Sequence, residues 1–123
     1  MALRFIDSVS HYLTAGVNAK YSNVSNVTIA PTGGRFGGGA LDILSNGFVI
    51  QTLGARSAWV VGFAFNAAGF PTAGGQPIVE FLDQGTVQMD LRIYPDGTLG
   101  LTRAGTLLTG SLSTVALIVG VWN

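Results

Sequence analysis

T-V-Q-M-D-L-R-I-Y-P-D-G-T-L-G-L-T-R, residues 86–103, decides how the rest of the chain is read. Val87, Met89, Leu91 and Ile93 alternate with Gln88, Asp90, Arg92 and Tyr94. Period-two alternation marks a strand with one face on a core and the other toward water or a polar surface. Pro95 presets φ and Gly97 tolerates positive φ, so P-D-G turns the chain back on itself. Leu99 and Leu101 carry the apolar face into the returning strand, 98–103. The two strands form an antiparallel hairpin. Burial is expected at Val87, Met89, Leu91, Ile93, Leu99 and Leu101, with Gln88, Asp90 and Arg92 on the opposite face.

Outward from this hairpin, Arg103-Ala104-Gly105-Thr106 reads as a second turn, with Leu107 and Leu108 opening a further strand. Upstream lies a strand at Pro77–Leu82, preceded by a Pro/Gly loop at Gly69–Gly75. Before that, Ala58–Phe65 is apolar on both faces, the mark of a central strand covered on both sides. A helix is the competing reading; Val60, Val61 and the aromatics Trp59, Phe63 and Phe65 favour strand.

The N-terminal half is less regular. Residues 3–7 are extended and apolar, and 8–13 form a turn or a short helix capped by Ser8 or Ser10. Residues 21–29 alternate weakly through Val24, Val27 and Ile29. Pro31–Gly34 is a loop, Leu41–Leu44 a strand, Ser45-Asn46-Gly47 a hairpin turn signal, and Phe48–Leu53 another strand. Ser113–Asn123 is a final apolar segment of β type. About eight short strands with turn chemistry between them predict an all-β fold, an antiparallel sandwich or jelly roll. The length, 123 residues, fits one domain spanning 1–123.

Six basic residues balance six acidic ones, so formal net charge is zero. Phosphate binding needs a basic face, which argues against nucleic acid as a partner. Charged residues make up 10% of the chain, against roughly 25% in ordinary soluble domains. With 48% hydrophobic residues and 18 glycines, the chain has little charge to keep it monomeric. It reads as a subunit that buries surface against neighbours; a monomer with an unusually large core is the alternative. With no cysteine, disulfides and thiolate metal sites are excluded. M-A-L-R-F-I-D lacks a signal peptide's apolar run. The apolar run Val115–Trp122 falls short of the ~20 residues that span a bilayer. No membrane association is expected, and the chain is expected to be made, and to stay or assemble, in the cytoplasm.

Each candidate constellation favours a structural reading. Gly37, Gly38 and Gly39 invite a phosphate loop, but no Gly-Lys-Ser/Thr follows and the next residues read as a strand rather than a helix; close backbone approach or a bulge is expected there. His11 is the single histidine and reads as a surface residue. Asp83, Gln84 and Asp90 lack the spacing of a calcium loop. Glu80 and Asp83 would face opposite sides of a strand, whereas Glu80 and Asp90 are open to pairing as the two carboxylates of glycoside chemistry. Trp59, Phe63, Phe65 and Trp122 are suited to stacking on sugars, though aromatics in apolar runs belong more often to a core. No catalytic residue, metal or cofactor is expected.

Three strings carry a resemblance: F-I-D-S-V-S-H-Y at 5–12, G-R-F-G-G-G-A-L at 34–41, and W-V-V-G-F-A-F through F-L-D to Q-M-D-L-R-I-Y-P-D-G-T-L between 59 and 99. In this order they resemble the concanavalin A-like (LamG-like) jelly-roll proteins encoded among the structural genes of tailed bacteriophages. Val9 and Ser10 depart from the aromatic and Asp usual in the family's opening motif. The resemblance implies a virion structural protein, namely a capsid decoration, head fibre or tail component, assembled in the host cytoplasm with itself and other virion proteins. It also implies an alternative, a lectin-like module binding glycans at the virion surface. Relatives continue past a Trp like Trp122 into further strands. The expectation is therefore an incomplete jelly roll with open edges, a smaller sandwich, or a shortened frame. Interface residues are expected at Val115, Leu117, Val119, Val121 and Trp122, and glycan contacts at Trp59 and Trp122.

Overall fold

A computed structural model describes residues 13–54 and 60–123. The chain divides into two compact units, Met1–Gly62 and Phe63–Asn123. The described residues form six strands: β1 (Asn23–Ala30), β2 (Ala40–Ile50), β3 (Gln76–Asp83), β4 (Thr86–Ile93), β5 (Leu99–Arg103) and β6 (Thr106–Leu107). Every pairing is antiparallel. The protein is all-β, as its alternation predicts.

The first unit holds the β1–β2 sheet. A 3₁₀ turn at Thr14–Gly16 leads into a one-turn helix α1 (Val17–Lys20), which the sequence reading did not anticipate. Val17 is buried, as are Val27 of β1 and Ala40 of β2. Ser45-Asn46-Gly47 is not a hairpin turn. Leu41–Ile43 and Phe48–Ile50 pair with the two halves of one partner strand, β1. Leu44, Ser45, Asn46 and Gly47 bulge opposite Asn26 alone. Asn26 (φ 48°) and Asn46 (φ 59°) both adopt left-handed backbone, which Asn tolerates better than most residues. Asn26 Nδ2 donates to Ser45 O at 3.3 Å. A Cβ on Gly47 would lie 2.4 Å from Asn26 O and 2.8 Å from Leu44 O. Glycine is there for close packing of the bulge, not for reversal of the chain.

The second unit is a four-stranded sheet in the order β3-β4-β5-β6. The P-D-G hairpin forms as read: Gly97 has φ 80°, Gly97 N donates to Tyr94 O, and Tyr94 N to Thr98 O. Asp96 closes the turn by accepting from the Thr98 amide and hydroxyl. Gln84-Gly85 and Ala104-Gly105 make the other two hairpins, with positive φ at both residues of each pair, the geometry of tight two-residue turns.

Ala58–Phe65 is corrected. Ala58 and Trp59 lie outside the described residues, and Val60–Phe65 belongs to no strand. Val60, Val61 and Phe63 are exposed. A run apolar on both faces is stable as a strand only where ladders flank it. Among the described residues, this one has the exchanged backbone bonds of Phe65 with Asn123 and nothing more. The tail, 113–123, is likewise no strand; it contributes one bridge, Trp122 to Asn66.

Candidate functional site

Two features of the second unit concern function: a polar cluster on one sheet face and an apolar tail along one sheet edge. Cross-strand pairs place Val79 with Leu91, Phe81 with Met89, Leu91 with Leu101 and Ile93 with Leu99, so the predicted apolar face exists. Its coverage is partial. Ile93 is buried, Val87, Leu91, Leu99 and Leu101 are half-buried, and Met89 is exposed.

The polar face is the better covered. Glu80 pairs with Asp90, and Asp90 with Thr102. Asp90 and Thr102 are 1% and 2% exposed. Arg92 grips Asp90 with two nitrogens, Nε to Oδ1 at 3.0 Å and Nη2 to Oδ2 at 2.8 Å, and its Nη1 donates to Gly75 O at 3.1 Å. The Thr102 hydroxyl donates to Asp90 Oδ1. On the same face Gly100, paired with Arg92, is itself buried: a Cβ there would meet Leu107, Tyr94 and Leu112 side-chain atoms at 2.8–3.1 Å. Those three side chains occupy the space that any larger residue would fill. The alternation put Asp90 on the face expected to meet water or a polar surface; instead Asp90 is buried there, and of the six residues expected to be buried only Ile93 is.

The cluster is poorly arranged for acid–base work. Arg92's hydrogen bonds, reinforced by Thr102's and by the Arg92 charge, outweigh burial and hold the Asp90 carboxyl below its ordinary 3.8. The same pairing raises Arg92. A glycosidase acid needs the opposite, a carboxyl kept protonated near neutrality. Glu80 and Asp90 do share a face, but Asp90 is saturated by donors and ties β4 to β5. Asp83 and Gln84 sit at the β3–β4 turn. Among the described residues, no group of three His, Cys, Asp or Glu could hold a metal.

The glycine string lies in the first unit. Gly34 N donates to Gly38 O at 2.7 Å, Gly37 N to Gly34 O at 3.0 Å, and Gly37 has φ 81°. β2 starts at Ala40. The string folds on itself as a close-packed lead into a strand, matching the expectation of close backbone approach. At its tip Phe36 is 91% exposed beneath the Arg35 guanidinium, 5.4 Å from the ring centre.

The tail follows β5 without becoming a strand. Leu108 N donates to Leu101 O, Ser113 N to Leu99 O and Leu117 N to Gly97 O. Ser111 and Ser113 hydroxyls accept from the amides of Leu101 and Leu99. Of the expected interface residues, Val115, Val119 and Val121 are exposed, and Leu117 and Trp122 are half-buried. Leu112 and Ile118 are exposed beside them. Trp59 and His11 lie outside the described residues. Among the described residues no helix is long and apolar enough to cross a membrane. Ser111 and Ser113 were missed, because a hydroxyl's backbone partner ten or more residues away leaves no local pattern. Comparison with protein-family models, curated proteins and solved structures finds no match for this chain.

Proposed function

We propose that this chain is a structural subunit of a tailed-bacteriophage virion, a capsid decoration, head-fibre or tail component built on a jelly-roll sandwich. It acts by burying apolar surface against copies of itself and other virion proteins. The observation that carries the assembly part is an imbalance. Among the described residues the buried apolar side chains are Val17, Val27, Ala40 and Ile93, while Val60, Leu112, Val115, Ile118 and others stand exposed. An apolar surface of this kind, on a chain of zero net charge, favours association. The virion part of the reading is supported by the resemblance of the strings at 5–12, 34–41 and 59–99. The anchored, low-pKa Asp90 supports a non-enzymatic role.

The lectin-like alternative rests on Trp59 and Trp122, of which Trp122 is half-buried and tied by its backbone to Asn66.

Sedimentation velocity of the full chain at micromolar concentration tests assembly. A defined oligomer is expected; a well-behaved monomer at all concentrations overturns the reading. Location is tested by mass spectrometry of purified particles from an infected host, where the chain is expected at structural stoichiometry. Its absence from particles removes the virion assignment.

A further inference from the structure

The chain treats the two edges of its four-stranded sheet differently. β6 and then the tail cover the outer edge of β5, with Leu108, Ser111, Ser113 and Leu117 supplying partners as far as Gly97. β3 is the strand at the other edge. Among the described residues, no backbone or side-chain group bonds to its outer side. β2 also has an outer edge, but the four-residue bulge at 44–47 interrupts it. On β3 no residue is inserted between Val79 and Asp83, although its register with β4 shifts between Phe81 and Leu82, where Gln88 of β4 is the extra residue. An unpaired row of amides and carbonyls is a template for another strand.

The same chain carries a strand-forming segment without a ladder. Val60–Phe65 is rich in β-branched and aromatic residues, and Val60, Val61 and Phe63 are exposed. The rings of Phe63 and Phe65 lie 6.2 Å apart, the spacing of alternate residues on one side of an extended chain. At about 3.3 Å per residue, six residues span about 20 Å, enough to cover the roughly 17 Å of 79–83.

From Phe65 onward the chain is bonded to the tail. Phe65 exchanges backbone bonds with Asn123, and Ala67 O accepts from Gly120 N. Phe70 sits against Gly97 in the β4–β5 turn. The connection therefore follows the C-terminal tail instead of the free side of β3.

From these two unpaired elements we infer that the open edge of β3 receives the Val60–Phe65 segment of a second copy. This pairing rests on the assembly reading and names its partner. Because each copy holds both halves, the exchange closes as a two-fold dimer. Main-chain bonds supply the attraction, as in other strand additions, and zero net charge adds no long-range repulsion between copies.

Disulfide trapping tests it, and the lack of native cysteine makes the readout unambiguous. Val61→Cys protein is mixed with Val79→Cys or Glu80→Cys protein; the adjacent positions sample both faces of β3. Mild oxidation is expected to give a covalent dimer whose digest contains a 61–79 or 61–80 disulfide. A double variant, Val61→Cys with Val79→Cys, that oxidises only within one chain overturns the inference. Where a variant fails to fold, hydrogen exchange on the unmodified chain decides. Peptides covering 60–65 and 76–83 should gain protection together as concentration rises through assembly. An oligomer showing neither the cross-link nor this protection sinks the exchange and leaves assembly standing; a monomer at every concentration sinks both.

Discussion

The Ser111 hydroxyl stands in for a strand against Leu101: it accepts from the Leu101 amide at 3.2 Å and donates to the Leu101 carbonyl at 3.0 Å. Two residues on, Ser113 accepts from the Leu99 amide at 2.9 Å while its own amide donates to the Leu99 carbonyl at 2.7 Å. The same device recurs in the first unit, where Thr14 Oγ1 takes the Ile29 amide at 2.9 Å and Ser22 Oγ takes the Thr52 amide at 2.8 Å. Hydroxyls outside the strands thus take amides of β1 and β5 that no strand pairs, and the Ser22–Thr52 bond prolongs the β1–β2 ladder past Ile50. An edge closed this way is hidden from strand addition without adding a new edge of its own.

Replacing these hydroxyls should reopen the edge. Each of Ser111→Ala and Ser113→Ala is expected to cost about 1 kcal/mol in urea unfolding, the net worth of an ordinary hydrogen bond. The double variant should also aggregate faster through the freed amides of Leu99 and Leu101. Unfolding midpoints equal to that of the unmodified chain would mean the tail does not guard β5.

Two glycines separate crowding from backbone strain. Gly47→Ala places a methyl against Asn26 O and Leu44 O at under 3 Å and is expected to cost about 3 kcal/mol or more, in the range of severe steric substitutions. Gly85→Ala meets open space but must keep φ near 81°; its cost is expected at about 1–2 kcal/mol, the left-handed penalty alone. Equal losses for the two would show that the bulge relaxes to admit a side chain.

Local chemistry was legible and long-range chemistry was not. Alternation over 87–93 and the P-D-G turn report on neighbours in sequence, and that hairpin forms where read. Ser45-Asn46-Gly47 carries the same turn chemistry, yet bulges, because β1 extends far enough to pair both flanking runs. Ala58–Phe65 has strand composition, but composition cannot supply a ladder. Asp90 reads as facing water or a polar surface, yet it is buried against a partner twelve residues away, Thr102, which no local pattern announces.

Ala104 is the non-glycine residue in the Ala104-Gly105 turn and has φ 47°. Its Cβ makes that conformation costly, whereas Asn adopts it readily and Asn-Gly is the favoured pair for two-residue hairpins. Ala104→Asn is therefore expected to stabilise the second unit by about 0.5–1 kcal/mol, read as a raised unfolding midpoint. No gain would indicate that β5–β6 frays before global unfolding.

The acid response should be dominated by Asp90. Arg92's hydrogen bonds lower its pKa in the folded chain from the ordinary 3.8, against burial, with Thr102 and the Arg92 charge adding to the effect. Between the folded value and 3.8 the unfolded chain therefore binds more protons than the folded one, so stability rises with pH across that window. The contribution is complete above about pH 5 and is lost as pH falls through 3.8 toward the folded value. Arg92 stays charged throughout and adds no pH dependence of its own. Asp96 is also lowered, by the Thr98 amide and then the Thr98 hydroxyl, but it is fully exposed and present in both chains of the comparison, so the difference curve isolates Asp90. Asp90→Asn is expected to lose about 2 kcal/mol at pH 7, where a charge-assisted pair is replaced by a neutral one and Arg92 is left without its counter-charge. Its unfolding free energy should then fall less steeply than that of the unmodified chain between pH 4 and 2, so the two curves converge in acid. Parallel curves through that range would show that the Arg92–Asp90–Thr102 cluster does not tie β4 to β5 and that the acid limb has another origin.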